Sequence, residues 1–254
     1  MKRFLPFVII IAVALAAVGA GAALYRMKRE TVLPPIPGEI ASANPGAKPP
    51  HFRGAVKAPV VLEEFADLQC PPCAAISVLL KKLEKDYEGR LRIVFRQFPL
   101  PMHNHAAEAA QAAEAAAVQG KFWEMSDQLY TNQTTWSKAD SVTPVFEGYA
   151  QSVGLDMTRY KADLARAENL QARINADKDR GTALGVTGTP TLFLNSQRVP
   201  QQSVSEPGLR AAIDAILAGK PPFGAASPTP AAALTAVPAA TGTPAAEAAA
   251  APTP

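Results

Sequence analysis

Cysteine and histidine are scarce in this chain of 254 residues. It has two cysteines, Cys70 and Cys73, and three histidines, His51, His103 and His105. A structural zinc site needs four Cys or His ligands at suitable spacing, and no histidine here forms a matched pair with the cysteines. A disulfide scaffold needs several cysteine pairs in a small domain. Both interpretations are therefore weak, and neither a metal nor another cofactor is expected.

An excess of basic residues is missing from most of the chain. The formal charge is +3, from 25 Lys+Arg against 22 Asp+Glu. Residues 1–30 hold 5 of the basic residues and 1 acidic residue, which leaves 20 against 21 in the remainder. Nucleic-acid binding requires a basic stripe that neutralises phosphates. No nucleic-acid partner is therefore expected.

One long segment lacks charge altogether. Residues 4–25 contain no charged side chain, and basic residues lie on both sides of them. A run of about 20 apolar residues is long enough to span a bilayer. We predict that residues 1–30 are a signal anchor with a single transmembrane helix, which places the following domain outside the cytoplasm at the cell membrane. The alternative is a signal peptide that is cleaved near residues 20–22 and a secreted protein.

Two further segments lack the large apolar side chains that a core needs. Residues 31–52 are rich in Pro, Gly and Ala, which predicts a linker. Residues 221–254 consist almost wholly of Ala, Pro, Thr, Gly and Ser, which predicts a disordered tail. The folded domain is therefore predicted to occupy residues 53–220.

The apolar pattern around the cysteines predicts a strand, a helix and a second strand. Residues 59–65 are a β-branched and apolar run, and residues 73–89 have the apolar spacing of a helix. Residues 91–98 alternate apolar side chains with Arg92 and Arg96. This βαβ unit places both cysteines at the N-terminus of its helix.

Helical patterns continue from residue 103 to about residue 184, with helix starts predicted at Thr143 and Asp156. Residues 185–200 return to a β pattern, and a last helix is predicted with Ser205 as its N-cap. A helical insertion therefore separates two β-forming parts of the domain.

The cysteines have the spacing Cys-x-x-Cys at a strand–helix junction, which is typical of a redox site. A thiol at a helix N-terminus is acidified by the helix dipole and by unpaired N–H groups. We expect Cys70 to be the exposed nucleophile and Cys73 the resolving thiol of thiol–disulfide exchange. Zinc binding and an inert staple are the less favoured alternatives.

The Cys-Pro-Pro-Cys stretch, the helical insertion and the later stretch GVTGTPTLFLN resemble the thioredoxin fold. More narrowly, they resemble the DsbA-like thiol:disulfide oxidoreductases of the bacterial cell envelope. The resemblance covers residues 53–220. It implies an α/β fold, with a central mixed β-sheet flanked by helices and a helical domain inserted at about residues 100–184, preceded here by the transmembrane helix.

The resemblance also implies roles for residues outside the cysteine pair. Pro190 is expected to be a cis-proline that faces the cysteines, and the backbone of Thr189 is expected to pair with the substrate chain. An ordinary turn is the alternative for this dipeptide. Glu64 matches the position of a buried acid, which could shuttle the proton of Cys73.

Several neighbouring side chains have simpler interpretations. Glu63 and Glu64 alternate faces on a strand, so one is expected to point inward, but both could equally be solvated strand-end charges. Asp67 is a weaker candidate for the role of the acid. Capping or surface positions are favoured for His103 and His105. Core positions are favoured for the aromatic residues of the insertion, Phe122, Trp123 and Trp136.

Pro71 and Pro72, between the cysteines, are expected to lie against the substrate. Neither has an N–H group, so they withhold two donors from the Cys70 sulfur. The motif also lacks the histidine that DsbA carries inside it. We therefore expect a Cys70 pKa that is lowered, but less than to the value of about 3.5 in DsbA, and a less oxidising couple.

Together these features predict a membrane-anchored dithiol oxidase that introduces disulfides into cysteine-containing exported proteins through a mixed disulfide with Cys70. A membrane redox partner would then reoxidise the pair. No segment is typical of a dimerisation domain, so a monomer is expected. The alternatives are a disulfide reductase or isomerase of the envelope, and a non-enzymatic tethered chaperone or binding module.

Overall fold

The computed structural model describes residues 44–223 of the chain. The predicted anchor at residues 4–25, most of the predicted linker and nearly all of the predicted tail lie outside the described residues. The described residues up to Pro222 belong to one compact unit, and the fold below is that of this unit. No helix within residues 44–223 has the length and apolar character needed to cross a membrane.

A five-stranded mixed sheet forms the centre of the domain. In spatial order its strands are β1 (His51–Gly54), β3 (Leu91–Gln97), β2 (Val60–Ala66), β4 (Thr191–Leu194) and β5 (Gln197–Arg198). Strands β2 and β3 are parallel, and the other neighbouring pairs are antiparallel. Parallel neighbours cannot be joined by a tight turn, so they need a crossover. Helix α1 (Pro71–Asp86) is that crossover, as the sequence predicts.

Both central strands are buried along their whole length. The arginines that alternate with apolar residues in β3 do not form a solvated face, because Arg92 and Arg96 are each 2% exposed. Arg96 Nε donates to Glu63 Oε1 at 2.7 Å and its Nη1 donates to Asp177 Oδ1 at 2.9 Å. A charge can be buried where it is paired and hydrogen-bonded in this way.

Strand β1 corrects the predicted boundary of the domain, because it begins inside the predicted linker. It pairs antiparallel with β3, and Ala47, which precedes it, is buried. Arg96 Nη1 donates to Ala47 O at 3.0 Å, and Arg180 Nη1 donates to Asn44 O at 2.9 Å. Residues 44–52 therefore belong to the folded domain, since their carbonyl groups are hydrogen-bond acceptors for buried arginines.

The helical insertion lies between β3 and β4, where the sequence predicts it. Its helices are α2 (Ala106–Val118), α3 (Phe122–Thr131), α4 (Gln133–Trp136), α5 (Thr143–Ser152), α6 (Met157–Ala165) and α7 (Ala167–Ala183). Helix α8 (Glu206–Leu217) follows a short 3-10 turn at Gln201–Ser203. The predicted caps are present, since Asp156 accepts from Thr158 N and Arg159 N, and Ser205 accepts from Gly208 N.

The insertion and the cysteines share one hydrophobic core. Helix α2 buries a face made almost entirely of alanine, which allows its neighbours to approach closely. Trp136 is fully buried, and it belongs to the same cluster as Phe95 of the sheet, Cys70 and Cys73. Phe122 is also buried, as predicted. The helices of the insertion therefore contribute directly to the surroundings of the cysteine pair.

Candidate active site

The connection from β2 to α1 places both cysteines at one end of the sheet. Cys70 is the N-cap of α1, and Pro71 and Pro72 are its first two helical residues. Proline fits these positions because the first N–H groups of a helix have no partner within it and the ring already fixes a helical φ. Cys70 N donates to Asp67 O at 3.1 Å, which closes the turn before the helix. Both prolines are exposed.

The sulfur atoms are less accessible than the motif alone suggests. Cys73 is fully buried and Cys70 is only 5% exposed, so the expectation of an exposed Cys70 is wrong. The segment before β4 covers it, with Thr189 O 3.4 Å from Cys70 Sγ. The Thr189–Pro190 peptide bond is cis and follows this contact directly. Both thiols are free in the structure.

The surroundings of the two thiols separate their pKa values. A hydrogen bond from the Cys73 thiol lowers the pKa of Cys70 to about 6, against the opposing effect of partial burial, and the Cys73 N–H adds to the lowering. Burial raises the pKa of Cys73, and the hydrogen bond to Cys70 and the charge of Glu64 raise it further. At neutral pH Cys70 is therefore a thiolate and Cys73 a thiol. Since the thiolate is the nucleophilic form, this difference makes Cys70 the attacking thiol of the reduced pair.

Glu63 and Glu64 lie on opposite faces of β2 and are both 3% exposed, so the interpretation as solvated strand-end charges is wrong. Arg180 Nη2 donates to Glu63 Oε2 at 2.9 Å, and Arg96 Nε donates to Glu63 Oε1. Burial acts to raise the pKa of Glu63, but the hydrogen bond from Arg180 and the charge of Arg96 hold it below its ordinary value. Glu63 is therefore a charged structural partner of two arginines.

Glu64 is the carboxyl group on the face of the cysteines. Burial raises its pKa to about 8, although the charge of Arg53 opposes the shift. The charge of Cys70 raises it further. Glu64 Oε1 has no hydrogen-bond partner among residues 44–223. Glu64 therefore holds a proton at neutral pH beside the buried Cys73, and its role in proton transfer stays a prediction.

Asp67 is buried but serves the loop as a hydrogen-bond acceptor. Its Oδ1 accepts from Gln69 N at 2.7 Å, and its Oδ2 accepts from Leu100 N at 2.8 Å. His103 Nδ1 lies 2.7 Å from the same Oδ2. These contacts fix the end of β2 against the segment after β3. His103 is therefore a partner of the active-site loop, whereas His105 is the N-cap of α2.

Two glutamines at the site carry no signal in the sequence. Gln133 of α4 donates from Nε2 to Leu68 O at 2.8 Å and to Cys70 O at 3.1 Å. Gln69 Oε1 accepts from His105 N at 2.7 Å. Both connect the active-site loop to the helical insertion. They could not be found from the sequence, because these contacts join residues far apart in the chain and glutamine forms no recognisable motif there.

Within the described part of the chain, no group of three His, Cys, Asp or Glu side chains is placed to hold a metal ion.

Solved structures with similar folds include thiol-exchange proteins. The chain is similar to a thioredoxin-like oxidoreductase from Silicibacter pomeroyi DSS-3, with a TM-score of 0.55 and 26% identity, over 65% of this chain and 90% of that one. It is similar to oxidised BdbD from Bacillus subtilis, with a TM-score of 0.59 and 24% identity, over 70% and 99%. It is also similar to the thiol-disulfide exchange protein alpha-DsbA2 from Wolbachia pipientis, with a TM-score of 0.55 and 22% identity, over 65% and 86%. At 24% and 22% identity, the similarities to BdbD and alpha-DsbA2 show a similar fold and nothing more.

Curated relatives that the chain is similar to include much longer proteins. The chain is 40% identical over 149 residues to a Na(+)/H(+) antiporter, NhaA 3, of Salinispora tropica, over 58% of this chain and 22% of that protein. It is 31% identical over 192 residues to NhaA 1 of Mycolicibacterium gilvum, over 74% of this chain and 30% of that protein. The chain thus spans less than a third of the length of these relatives, and ion antiport is a property of those proteins.

A family model described as thioredoxin matches residues 47–215, a range that includes every site residue named above. With the likeness to the Silicibacter pomeroyi protein, it confirms the predicted α/β thioredoxin-like fold. The chain therefore belongs to the thioredoxin family.

Proposed function

We propose that this protein is a dithiol oxidase that transfers the Cys70–Cys73 disulfide to cysteine-containing exported proteins. The observation that carries the proposal is the unequal acidity of the two thiols, with the pKa of Cys70 lowered to about 6 and that of Cys73 raised. A thiolate that is stable at neutral pH stabilises the reduced pair, and a stabilised reduced form makes the couple oxidising.

The reaction begins with the disulfide between the two cysteines. A substrate thiolate attacks Cys70 Sγ, the bond between Cys70 and Cys73 breaks, and its electron pair remains on Cys73. Cys73 is buried and its pKa is raised, so its thiolate takes a proton, which Glu64 can supply because it is protonated below about pH 8. A second substrate thiolate then attacks the substrate sulfur of the mixed disulfide. Cys70 leaves as a thiolate, and two electrons have passed from the substrate to the enzyme.

The enzyme must return its electrons before the next turnover. Cys70 thiolate attacks a disulfide of a redox partner, Cys73 gives its proton back to Glu64, and the Cys73 thiolate attacks Cys70 Sγ to regenerate the disulfide. The partner leaves in its reduced form. We propose a membrane protein as this partner, on the basis of the predicted anchor at residues 4–25.

The strength of the couple tests the direction of the reaction. A Cys70 pKa of about 6 lies between the values of about 7 in thioredoxin and about 3.5 in DsbA. The reduction potential, measured by equilibration with glutathione buffers, is expected to lie between about −270 and about −120 mV, the values of those two proteins. A potential at or below the thioredoxin value would support a reductase instead.

A peptide with two thiols provides the matching activity assay. Oxidised protein is expected to convert it to its disulfide form, Cys70→Ser is expected to abolish the conversion, and Cys73→Ser is expected to accumulate the mixed disulfide with Cys70. A binding module or chaperone would instead retain its protection of unfolded clients in Cys70→Ser and would show no oxidation of the peptide.

We propose that the domain works outside the cytoplasm, tethered by residues 4–25, because disulfides persist in oxidising compartments. The full chain is expected in the membrane fraction and resistant to carbonate extraction, with the domain accessible to protease from the outside. A deletion of residues 1–30 is expected to leave the domain in the cytoplasm. Recovery of the full chain in the soluble fraction would favour cleavage and secretion.

A further inference from the structure

Asp67 is the acidic side chain that shares a turn with the nucleophile. Cys70 N donates to Asp67 O at 3.1 Å, and the Asp67 side chain is wholly buried beside that turn. Both carboxyl oxygens accept hydrogen bonds, Oδ1 from Gln69 N and Oδ2 from Leu100 N and His103 Nδ1. Acceptors at both oxygens are the pattern of an ionised carboxyl group, so a negative charge lies beside the turn that carries Cys70.

This charge opposes the formation of the Cys70 thiolate. A carboxylate near a thiol favours the protonated thiol, and the charge of Asp67 acts to raise the pKa of Cys70. Residues 63–67 contain two other acidic side chains, but Glu63 is paired with two arginines and Glu64 is protonated below about pH 8. Around pH 6, where Cys70 titrates, Asp67 is therefore the acidic group of this segment whose charge must be offset.

His103 is the one side chain among the three donors to Asp67. Its Nδ1 lies 2.7 Å from Asp67 Oδ2, and since that oxygen is an acceptor, Nδ1 carries the hydrogen. The backbone of His103 is held on both sides, because its N–H donates to Leu100 O at 3.1 Å and its carbonyl accepts from Ala106 N at 3.3 Å. The ring is 21% exposed, so it lies between the buried carboxylate and solvent.

His105, two residues later, pairs with a different carboxylate. Its Nδ1 lies 2.7 Å from Glu108 Oε2, and its Nε2 lies 2.9 Å from Ala139 O. The Glu108 side chain is 49% exposed, so this pair faces solvent. The two histidines of the segment therefore differ in one respect that bears on the site, since only the partner of His103 belongs to the turn of Cys70.

We propose that His103 is a positioning residue for the nucleophile, and that its Nδ1–H holds the Asp67 carboxylate in place and offsets the negative charge that this carboxylate directs at Cys70. The effect on the acidity of Cys70 does not depend on the direction of the reaction. Its consequence for oxidising strength rests on the proposed function. A more acidic Cys70 stabilises the reduced pair, so His103 is expected to make the couple more oxidising.

A double-variant cycle tests whether the effect passes through Asp67. The ultraviolet absorbance of the Cys70 thiolate is titrated in the reduced full chain, in His103→Leu, in Asp67→Asn and in the combination of both. His103→Leu is expected to raise the midpoint by about one pH unit, because the Asp67 charge is no longer offset, and Asp67→Asn is expected to lower it. The combined variant is expected to titrate with Asp67→Asn, since a neutral amide leaves no charge for His103 to offset.

Two results of the cycle would overturn the proposal. One is an unchanged midpoint in His103→Leu. The other is a rise from Asp67→Asn to the combined variant as large as the rise from the wild-type protein to His103→Leu, because the effect would then not pass through Asp67. If His103→Leu does not fold, His103→Phe, which keeps a ring, takes its place in the cycle with the same expected shift.

A conservative variant tests the hydrogen bond itself. His103→Asn keeps an N–H donor near the place of Nδ1, so its midpoint is expected to lie between those of the wild-type protein and His103→Leu. A midpoint at or above that of His103→Leu would contradict the role of the Nδ1–H.

His105→Leu is the matched control. It removes the ring at the N-cap of α2 and the pair with Glu108, so some loss of stability is expected, but the Cys70 midpoint is expected to stay at the wild-type value. An equal rise in His105→Leu would show a general disturbance of the segment and would overturn the assignment to His103.

The reduction potential separates the inference from the function on which it partly rests. At pH 8, where Cys70 is ionised with and without His103, a tenfold loss of acidity corresponds to a couple less oxidising by about 30 mV in His103→Leu, measured in glutathione buffers. If the cycle gives the expected midpoints and the wild-type protein does not oxidise a dithiol peptide, the role of His103 stands and the oxidase function is wrong. If the peptide is oxidised and the cycle fails, the function stands and the role of His103 is wrong.

Discussion

The two prolines between the cysteines act at different positions of the helix. Cys70 is the N-cap, so Pro71 is residue N1, Pro72 is N2 and Cys73 is N3. An N-cap side chain accepts hydrogen bonds from the N–H groups of N2 or N3, and not from that of N1. Pro72 therefore removes an N–H group that could donate to the Cys70 sulfur, whereas Cys73 retains its N–H group. This refines the expectation that both prolines withhold donors from the Cys70 sulfur.

A titration of single variants tests this distinction. The ultraviolet absorbance of the Cys70 thiolate is expected to have its midpoint near pH 6 in the wild-type protein, as its environment indicates. Pro72→Ala restores an N–H at N2, and one hydrogen bond to a charged group corresponds to a downward shift of about one pKa unit. Pro71→Ala is the matched control and is expected to leave the midpoint unchanged. Equal shifts in the two variants would contradict the assignment of positions.

Glu64 makes the stability of the domain depend on pH. Its pKa of about 8 in the folded state compares with an ordinary value of 4.5. Between these values the folded state holds a proton that the unfolded state has lost, so the free energy of unfolding falls as pH rises, by up to about 1.4 kcal/mol per pH unit. Cys70 has the opposite effect, but only above about pH 6, where the folded state has lost a proton that the unfolded thiol keeps.

The window between about pH 5 and pH 6 therefore isolates Glu64. Urea denaturation of Glu64→Gln in this window is expected to show a shallower fall of the free energy of unfolding with pH than the wild-type protein shows. The other titrating groups are common to both proteins and cancel in the comparison. If the free energy of unfolding falls equally steeply with pH in Glu64→Gln and in the wild-type protein, Glu64 is ionised in the folded state at pH 6.

At the scale of elements, local apolar patterns predict most of the strands and helices, whereas strand β1 depends on contacts with residues that are distant in the chain. The apolar runs of β2 and β3 and the helical spacing after Cys73 predict their elements, because each buries a continuous face. Strand β1 could not be predicted in the same way. It has four residues, it ends at Gly54, and it exists because it pairs with β3 from His51 to Gly54 across more than 35 residues of chain.

The residues of the candidate active site divide in the same way into those that the sequence predicts and those that it does not. Cys70 and Cys73 lie in a short motif that carries its chemistry in the sequence, and the resemblance to the DsbA-like proteins adds Pro190 and Glu64. Gln133 could not be predicted, because it comes from the helical insertion and acts through tertiary contacts. The burial of Glu63 beside Glu64 depends in the same way on arginines of β3 and α7.

Gln133 of helix α4 binds two carbonyl groups of the active-site loop. Gln133→Ala leaves Leu68 O and Cys70 O without this buried donor, and an unsatisfied buried group costs about 1–3 kcal/mol. The free energy of unfolding in urea is expected to fall by about 2 kcal/mol. Gln151→Ala, at an exposed position of α5, is the control and is expected to change it by less than about 0.5 kcal/mol. A neutral Gln133→Ala would show that water replaces the amide at both carbonyls.

At the scale of the whole molecule, one buried network joins the start of the described chain to the sheet and to the insertion. Arg96 of β3 contacts Glu63 of β2, Asp177 of α7 and the carbonyl of Ala47. Arg180 of α7 contacts Glu63 and the carbonyl of Asn44. The segment from Asn44 to Ala47 is therefore held against the domain by hydrogen bonds from two buried arginines, and both arginines are themselves paired with buried carboxylates.

Removal of one member of this network tests how much it stabilises the fold. Arg96→Met leaves the buried Asp177 without the guanidinium that pairs with it, and breaking a buried ion pair costs about 3–5 kcal/mol. Lys82→Met removes the exposed pair with Glu206 and is expected to cost less than about 1 kcal/mol. The Asp177 charge is the reason for the difference, so Arg96→Met combined with Asp177→Asn is expected to recover part of the loss, as measured by urea denaturation. If the double variant is no more stable than Arg96→Met, the loss comes instead from the released segment at residues 44–47, and the carbonyl contacts are then the main contribution of Arg96.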